Sequence, residues 1–197
     1  MRFVVATFNQ DKLREIEQLL DLPGAALVDL KSFRGASAPA EAGHTLLENA
    51  LAKARAAHKL TRMSAIADDT GLEVDVLGGK PGIYSARFAG PNASYHDNVK
   101  RLLEVMAGYE GAERTARFRT ACAAVLEDGT ELDCEGVLEG RITFVPRGTN
   151  GFGYDPVFEI PELGLTLAEL TPAEKNARSH RARAVQALAD KLAALKR

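Results

Sequence analysis

The sequence predicts an α/β fold in which helices pack around a mixed, twisted β-sheet. An apolar run over residues 2–7 is followed by apolar residues at helical spacing, which predicts a strand, a turn and a helix. Alternating apolar residues over 116–126, a turn at Asp128 and Gly129, and a returning run over 130–138 predict a hairpin. Strands that are separated by helices early in the chain and paired by a turn in its middle are typical of a mixed sheet.

Length and composition are those of one globular unit. The chain has 197 residues and contains no repeat, linker or low-complexity tract, so we expect residues 1–197 to form a single domain. A formal charge of -2 argues against a protein that coats nucleic acid. Cys122 and Cys134 lack the spacing and nearby histidines of a zinc site. No signal peptide or long apolar stretch is present, so we expect a cytoplasmic protein without a membrane partner.

Capping patterns mark three further helical regions. Thr45 with Glu48, Ser94 with Asp97, and the segment 171–174 each have the composition of a helix start, and the last opens a helical region that we expect to run to residue 195.

Between these helices we expect a buried strand over 64–67, an acidic turn over 68–71 and a second strand over 72–76. A further strand is expected near 141–145. The segments 78–92 and 146–156 are rich in glycine and proline, which predicts two surface loops without regular structure on either side of a cleft.

The junction of the first strand and helix is a candidate phosphate site. Unpaired backbone N–H groups at a helix start attract anions, and Lys12 adds a full positive charge there. The alternative is that Asn9 is only an N-cap and Lys12 a solvated residue. The Walker pattern is absent, so position alone indicates the site, which comprises Thr7, Phe8, Asn9, Gln10, Asp11 and Lys12.

The predicted acidic turn is a candidate metal site. Adjacent carboxylates after a buried strand are costly unless a cation or hydrogen-bond donors share their charge. Oxygen ligands without cysteine favour Mg²⁺ over Zn²⁺. Glu41 is a better additional ligand than Glu48 or Glu73. We expect Glu48 to cap a helix and Glu73 to face outward from its strand. The alternative is an exposed turn in which Asp68 and Asp69 bond only to their own backbone.

Two later clusters carry groups that suit a nucleoside. Phe152 and Tyr154 lie in a glycine-rich loop where an aromatic face can stack on a base, although both also suit the core beneath a loop. His180 and Arg181 supply hydrogen-bond donors at a helix start that Ser179 can cap, although such residues are often merely solvated. The four clusters together indicate a nucleotide enzyme.

Four segments of the chain also resemble the Ham1-like, or inosine triphosphate pyrophosphatase, family. The opening TFNQDK matches the family pattern [ST]-x-N-x-x-K, and three further blocks follow in the family's order, ADDTGLEVDVLGGKPGIYSARFAG, GFGYDPVF and EKNARSHRARA. Together they span residues 4 to 184. Two departures are visible, since Phe8 stands where the family often has glycine and Thr70 where bacterial members usually have serine.

The resemblance implies an elongated, two-lobed α/β domain with a central substrate cleft, and a homodimer. It implies Mg²⁺-dependent hydrolysis of inosine, deoxyinosine and xanthosine triphosphates (ITP, dITP and XTP) to the monophosphate and pyrophosphate, which removes deaminated purines from the nucleotide pool. Asp69 is then the proton acceptor and a metal ligand with Glu41, and the segment from Thr7 to Lys12 holds the phosphates. The remaining substrate contacts implied are Thr70, Phe152, Gly153, Tyr154, Asp155, Lys175, His180 and Arg181.

The hypothesis for the reaction is attack of water on the α-phosphorus, with Asp69 assisting deprotonation. His180 or Arg181 would favour the acceptor oxygen at the purine 6-position over the amino group of adenosine. A related pyrophosphatase of pyrimidine or modified triphosphates would use the same groups. A nucleotide-sensing or RNA-binding module is a third possibility, which the acidic residues and the net charge disfavour.

Overall fold

The computed structural model describes residues 1–39 and 42–195. Within these residues the α-helices are α1 (Gln10–Leu19), α2 (Leu46–Thr61), α3 (Tyr95–Val105), α4 (Pro172–Asn176) and α5 (His180–Ala194). The strands are β1 (Arg2–Val5), β2 (Ala26–Asp29), β3 (Ser64–Val74), β4 (Lys80–Gly82), β5 (Thr115–Val125), β6 (Glu131–Ile142), β7 (Phe158–Ile160) and β8 (Leu165–Thr166). No helix in this part of the chain is long and apolar enough to cross a membrane.

The strands form a mixed sheet, as the sequence predicts. Their order is β2-β1-β3-β5-β6-β7-β8, and β4 pairs with β3 outside that path. Strand β1 runs parallel to β2 and to β3, with Val5 opposite Ile66. The pairs β3–β4, β6–β7 and β7–β8 are antiparallel. The mixed sheet and its flanking helices confirm the predicted fold class.

The chain divides into two compact units. Unit 1 comprises Met1–Asp69, Thr120–Gly136 and His180–Arg197, and unit 2 comprises Thr70–Arg119 and Val137–Ser179. The divisions fall inside β3, β5 and β6, so each of these strands contributes residues to both units. The single domain over 1–197 stays a prediction.

Unit 1 has a core between the sheet and two helices. Phe3 and Val5 alternate along β1, and Ile66 follows the same alternation on β3. These side chains pack with Ile16 of α1 and Leu188 of α5, all fully buried. Each such side chain contributes roughly 1.5–3 kcal/mol on leaving water. The carboxyl end of β1 and the middle of β3 are therefore held rigidly by packing.

Unit 2 has its own core. Leu72 of β3 and Leu102 of α3 are fully buried in it, and the rings of Phe118 and Phe158 lie 4.6 Å apart between centroids. Gly140 lets β6 approach β7 closely, since a Cβ there would lie 2.5 Å from a ring atom of Phe158.

The predicted helix starts are confirmed. Asn9 and Thr45 cap α1 and α2, and Ser94 with Asp97 forms a reciprocal capping box at the start of α3. The hairpin of β5 and β6 closes where the backbone N–H of Leu126 donates to the carbonyl of Thr130. The last helical region is two helices, because the chain turns between α4 and α5.

The predicted acidic turn over 68–71 is wrong. Strand β3 continues through Ser64–Val74 without interruption. Gly71 permits a close strand neighbour rather than a turn, since a Cβ there would lie 2.7 Å from the carbonyl oxygen of Gly82 on β4. Strand β4 lies within 78–92, where no regular structure was expected. Its three residues form a strand because they pair with β3. The strand expected near 141–145 is the end of β6, which stops at Ile142.

Candidate functional site

The start of α1 is built around the side chain of Asn9. Its Oδ1 accepts hydrogen bonds from the backbone N–H groups of Asp11 and Lys12, at 2.9 and 3.3 Å. The N–H of Asn9 itself donates to Oγ1 of Thr7 at 3.1 Å. Asn9 is therefore an N-cap, and three amides that were expected to attract an anion are bonded within the segment.

The side chain of Lys12 turns inward. Its Nζ lies 3.3 Å from Oδ2 of Asp68 on β3, and the side chain is 15% exposed. Burial lowers the pKa of Lys12 below its ordinary value, against the opposing effect of Asp68. The solvated lysine considered as an alternative is wrong. Phe8 is half-buried and Gln10 is exposed.

Asp68 is the centre of a buried ion-pair network. Nε of Arg181 donates to its Oδ2 at 3.0 Å, and the same guanidinium also binds the carboxylate of Glu15 on α1. Burial alone would raise the pKa of Asp68, but the charges of Lys12, Arg181 and Lys53 outweigh it and hold the pKa well below the usual range. Asp68 is therefore ionised, and its carboxylate is engaged in ion pairs with Lys12 and Arg181.

Asp69 is held from a different helix. Nζ of Lys53 donates to its Oδ1 at 2.5 Å, and Nδ2 of Asn49 donates to its Oδ2 at 3.1 Å. Lys53 also donates to the backbone carbonyl of Asp68 at 3.1 Å. The sequence interpretation missed both partners on α2. Their signal was two polar residues four positions apart within a stripe of alanines, which places them on one helix face.

The two aspartates cannot act as the shared ligand pair that a turn would have made. Successive side chains of a strand point to opposite faces, so Asp68 meets α1 and α5 while Asp69 meets α2. Among residues 1–39 and 42–195, no group of three His, Cys, Asp or Glu side chains could hold a metal ion. Glu41, the other expected metal ligand, lies outside the described residues.

The chemistry of Asp69 fits a divalent cation on its own. Its oxygens are hard donors of the kind that Mg²⁺ prefers, and an ion bound there would displace the ammonium of Lys53 from Oδ1. An ion there would take its remaining ligands from beyond the described residues or from a bound phosphate, as Mg²⁺ commonly does.

In unit 2 the loop around Phe152 is fixed by a buried ion pair. Oδ2 of Asp155 accepts hydrogen bonds from Nζ of Lys175 at 2.6 Å and from the backbone N–H of Phe152 at 2.9 Å. Gly151 has a φ of 72°, and a Cβ there would lie 2.0 Å from that same oxygen. Asp155 and Lys175 therefore set the loop conformation, and Gly151 is the residue that permits it.

Phe152 is the more exposed of the two aromatic residues in this loop. Its half-buried ring lies 5.7 Å from the ring of Tyr95 between centroids, and 4.9 Å from Nζ of Lys175. Tyr95 at the start of α3 was not identified from the sequence, because nothing local marks a contact between residues 57 positions apart. Gly153 is half-buried with a φ of 64°.

Tyr154 belongs to the core of unit 2. It is 4% exposed, and its hydroxyl donates to the carbonyl of Ser85 at 2.8 Å. Burial raises the pKa of Tyr154 above its ordinary value. The ring therefore lies in the core, which the sequence left open, and its role in substrate binding stays a prediction. Thr70, at the boundary of the units on β3, is half-buried.

His180 and Arg181 begin α5 in unit 1, and both are buried. The alternative that they are merely solvated is wrong. A Cβ at Gly136 would lie 2.1 Å from the carbonyl of His180, so this glycine of β6 allows the helix start to approach the strand. The Arg181 guanidinium binds the carboxylates of Glu15 and Asp68.

Comparison with known proteins agrees with this architecture. The Ham1 family model matches residues 3–191. This chain belongs to the Ham1 family. Among curated Ham1 relatives it is 47% identical over 196 residues to the dITP/XTP pyrophosphatase of Thioalkalivibrio sulfidiphilus, covering 98% of each chain. It is 48% identical over 195 residues to that of Escherichia coli K12, covering 97% of this chain and 98% of the relative.

A solved Ham1 structure has the same fold. The HAM1 protein from Coxiella burnetii superposes with a TM-score of 0.89 at 39% identity, and the match covers 98% of both chains. Each of the four segments that resemble the family lies within the matched residues.

Proposed function

We propose that this chain hydrolyses non-canonical purine nucleoside triphosphates, namely ITP, dITP and XTP, to the monophosphate and pyrophosphate. The observation that carries the proposal is Asp69, a carboxylate 5% exposed and fixed by Lys53 and Asn49. The relatives named dITP/XTP pyrophosphatase match nearly the whole chain, which supports the same reaction here.

Asp69 is the proton acceptor in this proposal. Water attacks the α-phosphorus, its proton passes to the carboxylate of Asp69, and pyrophosphate leaves. The hydrogen bond from Asn49 to Oδ2 orients the carboxylate before the reaction, so little reorganisation of this side chain is needed during it.

The segment from Thr7 to Lys12 binds the phosphates. The ammonium of Lys12 is the main contribution, because the amides of Asn9, Asp11 and Lys12 are bonded within the segment. Oxygens of a bound triphosphate would replace the Asp68 carboxylate at Nζ of Lys12. The ammonium would then neutralise negative charge on the departing pyrophosphate.

Mg²⁺ is the proposed metal, held by Asp69 and Glu41 and completed by substrate phosphate oxygens. When bound, the ion supplies neutralisation of phosphate charge and activation of the water. The ion would replace the ammonium of Lys53 at Oδ1 of Asp69, and that ammonium could then bind phosphate oxygens.

The nucleoside contacts are assigned to the matching family motifs. Phe152 offers its half-buried ring for stacking on the base, and Asp155 and Lys175 act by holding the loop. Thr70, Gly153 and the backbone of Tyr154 are included in this set. His180 and Arg181 are the proposed donors toward the 6-position, where a buried mismatch discriminates by about a hundredfold or more.

The remaining parts of the proposal are that residues 1–197 form a single domain and that the chain acts as a homodimer in the cytoplasm. They rest on the family resemblance.

The decisive experiment measures pyrophosphate release from natural and deaminated triphosphates, with and without Mg²⁺. We expect turnover of ITP, dITP and XTP only with Mg²⁺, and much slower turnover of ATP. Preferential hydrolysis of a pyrimidine triphosphate would assign the chain to a different substrate class. Nucleotide binding without turnover would contradict the proposal that the chain is an enzyme.

A further inference from the structure

Unit 2 contains a cavity of about 260 Å³ that no part of the proposed reaction uses. Its lining includes three arginines, one glutamate and two exposed apolar residues, namely Arg114, Arg141, Arg147, Glu159, Phe144 and Val145. All belong to unit 2.

Arg114 is buried in the wall of this cavity, 3% exposed. Its guanidinium donates to four backbone carbonyls at 2.7–2.9 Å, those of Ile142, Met106, Tyr109 and Thr143. These carbonyls accept from its N–H groups in four hydrogen bonds, and among residues 1–39 and 42–195 no carboxylate forms an ion pair with it. Burial lowers the pKa of Arg114 below its ordinary value. A buried cation bonded to neutral groups stabilises any anion that comes near it.

The other two arginines share one carboxylate. Arg141 and Arg147 both bind Glu159, whose side chain is buried. Arg147 also has Nε 3.3 Å from Glu169, which is not part of the lining. Three positive and one negative side chain leave the lining with a surplus of two positive charges, and including Glu169 still leaves one.

The rim of the cavity is apolar and exposed. The side chains of Phe144 and Val145 are 63% and 61% exposed, and the ring of Phe144 lies 4.3 Å from the guanidinium carbon of Arg114. The side chains of Arg141 and Arg147 are 53% and 37% exposed, so an ion can reach both guanidinium groups from solvent.

We propose that this cavity binds a small phosphate-class dianion, with Arg141 and Arg147 as direct donors and Arg114 supplying charge from behind. Planar guanidinium groups suit the oxygens of phosphate, and an anion would offset the positive surplus of the lining. Free phosphate, pyrophosphate and the phosphate group of a small metabolite share this chemistry.

The test is an amide NMR titration of the ¹⁵N-labelled full chain with inorganic phosphate against sodium chloride at matched ionic strength. We expect saturable shifts at the amides of Gly111, Thr143 and Phe144, which line or border the cavity. Parallel titrations with pyrophosphate and with a nucleoside monophosphate distinguish the sources of the group. Shifts around Lys12 report the other site and are read separately.

Two variants move the affinity in opposite directions. Arg141→Gln is expected to raise the phosphate dissociation constant about tenfold, since a charge-assisted hydrogen bond is lost. Glu159→Gln is expected to lower the constant severalfold, because the competing carboxylate is gone, and misfolding cannot imitate that gain. Arg101→Gln is the matched control, an exposed arginine of α3 that pairs with Glu104 and is not in the lining.

Shifts that are linear in concentration and equal for phosphate and chloride would mean an adventitious ion only and would overturn the proposal. Signals of Phe144 and Val145 that depend on protein concentration and not on phosphate would also overturn it, since a second copy of the chain would then cover the cavity. Equal affinities in Arg141→Gln, Glu159→Gln and the unmodified chain would do the same.

Discussion

Asp68 and Asp69 are neighbours on β3, yet their carboxylates are bound by different helices. Asp68 is paired with Lys12 of α1 and Arg181 of α5, and Asp69 with Lys53 and Asn49 of α2. Strand alternation separates the two residues into a structural carboxylate and a candidate base. Substituting each therefore tests a different property.

Asp69→Asn is expected to lower kcat for ITP by about 10²–10⁴-fold, the usual contribution of a general base. The substrate should still bind, because Lys12 and the nucleoside contacts are unchanged. Single-turnover pyrophosphate release and equilibrium nucleotide binding give the two quantities. Asp75→Asn, at a half-exposed carboxylate paired with Arg117, is the control. Near-normal turnover in Asp69→Asn would remove this residue from the mechanism.

Asp68→Asn is expected to change stability and its dependence on pH. The pKa of Asp68 is held below its ordinary value, so its contribution to stability is present above about pH 4 and is lost as the pH falls toward the lowered pKa. Leaving Arg181 and Lys12 short of one carboxylate should cost about 3–5 kcal/mol at pH 7. Urea unfolding from pH 7 to pH 2 measures both. Parallel pH profiles for the variant and the unmodified chain would contradict the ion-pair network.

Gly151→Ala is expected to disrupt the loop of Phe152. The new Cβ would lie 2.0 Å from Oδ2 of Asp155, which must move away from Lys175. We expect a higher KM for ITP and a loss of about 1–3 kcal/mol in unfolding free energy. Gly24→Ala is the matched control, since its φ of 75° imposes the same backbone strain with no atom within 4 Å. An equal KM in the two variants would separate the loop from substrate binding.

Arg181→Ala is expected to reduce the preference for ITP over ATP by about tenfold or more, the effect of removing a donor that pairs with the 6-position. Glu15→Gln keeps the guanidinium and removes one of its carboxylate partners, so its preference should remain unchanged. Ratios of kcat/KM for the two nucleotides give the preference, and circular dichroism verifies folding. A folded Arg181→Ala variant that retains the preference would restrict Arg181 to holding Asp68.

The sequence by itself determined the features that depend on short-range interactions. The caps at Asn9, Thr45 and Ser94 involve hydrogen bonds within four residues, and the hairpin turn is equally local, so composition and spacing were sufficient. The four family-like segments likewise located Lys12, Asp69 and the loop of Phe152 before any geometry was known.

Only the tertiary structure decided which side chains meet. The local sequence at residues 68 and 69 resembles a turn, but both residues lie inside strand β3. Pairing with neighbouring strands and the charges of Lys12, Arg181 and Lys53 stabilise the carboxylates there. The partners Asn49 and Lys53 lie on a helix 16 to 20 residues away, and Arg181 lies 113 residues from Asp68. Contacts over such separations depend on how helices pack on a sheet, and no local pattern encodes that choice.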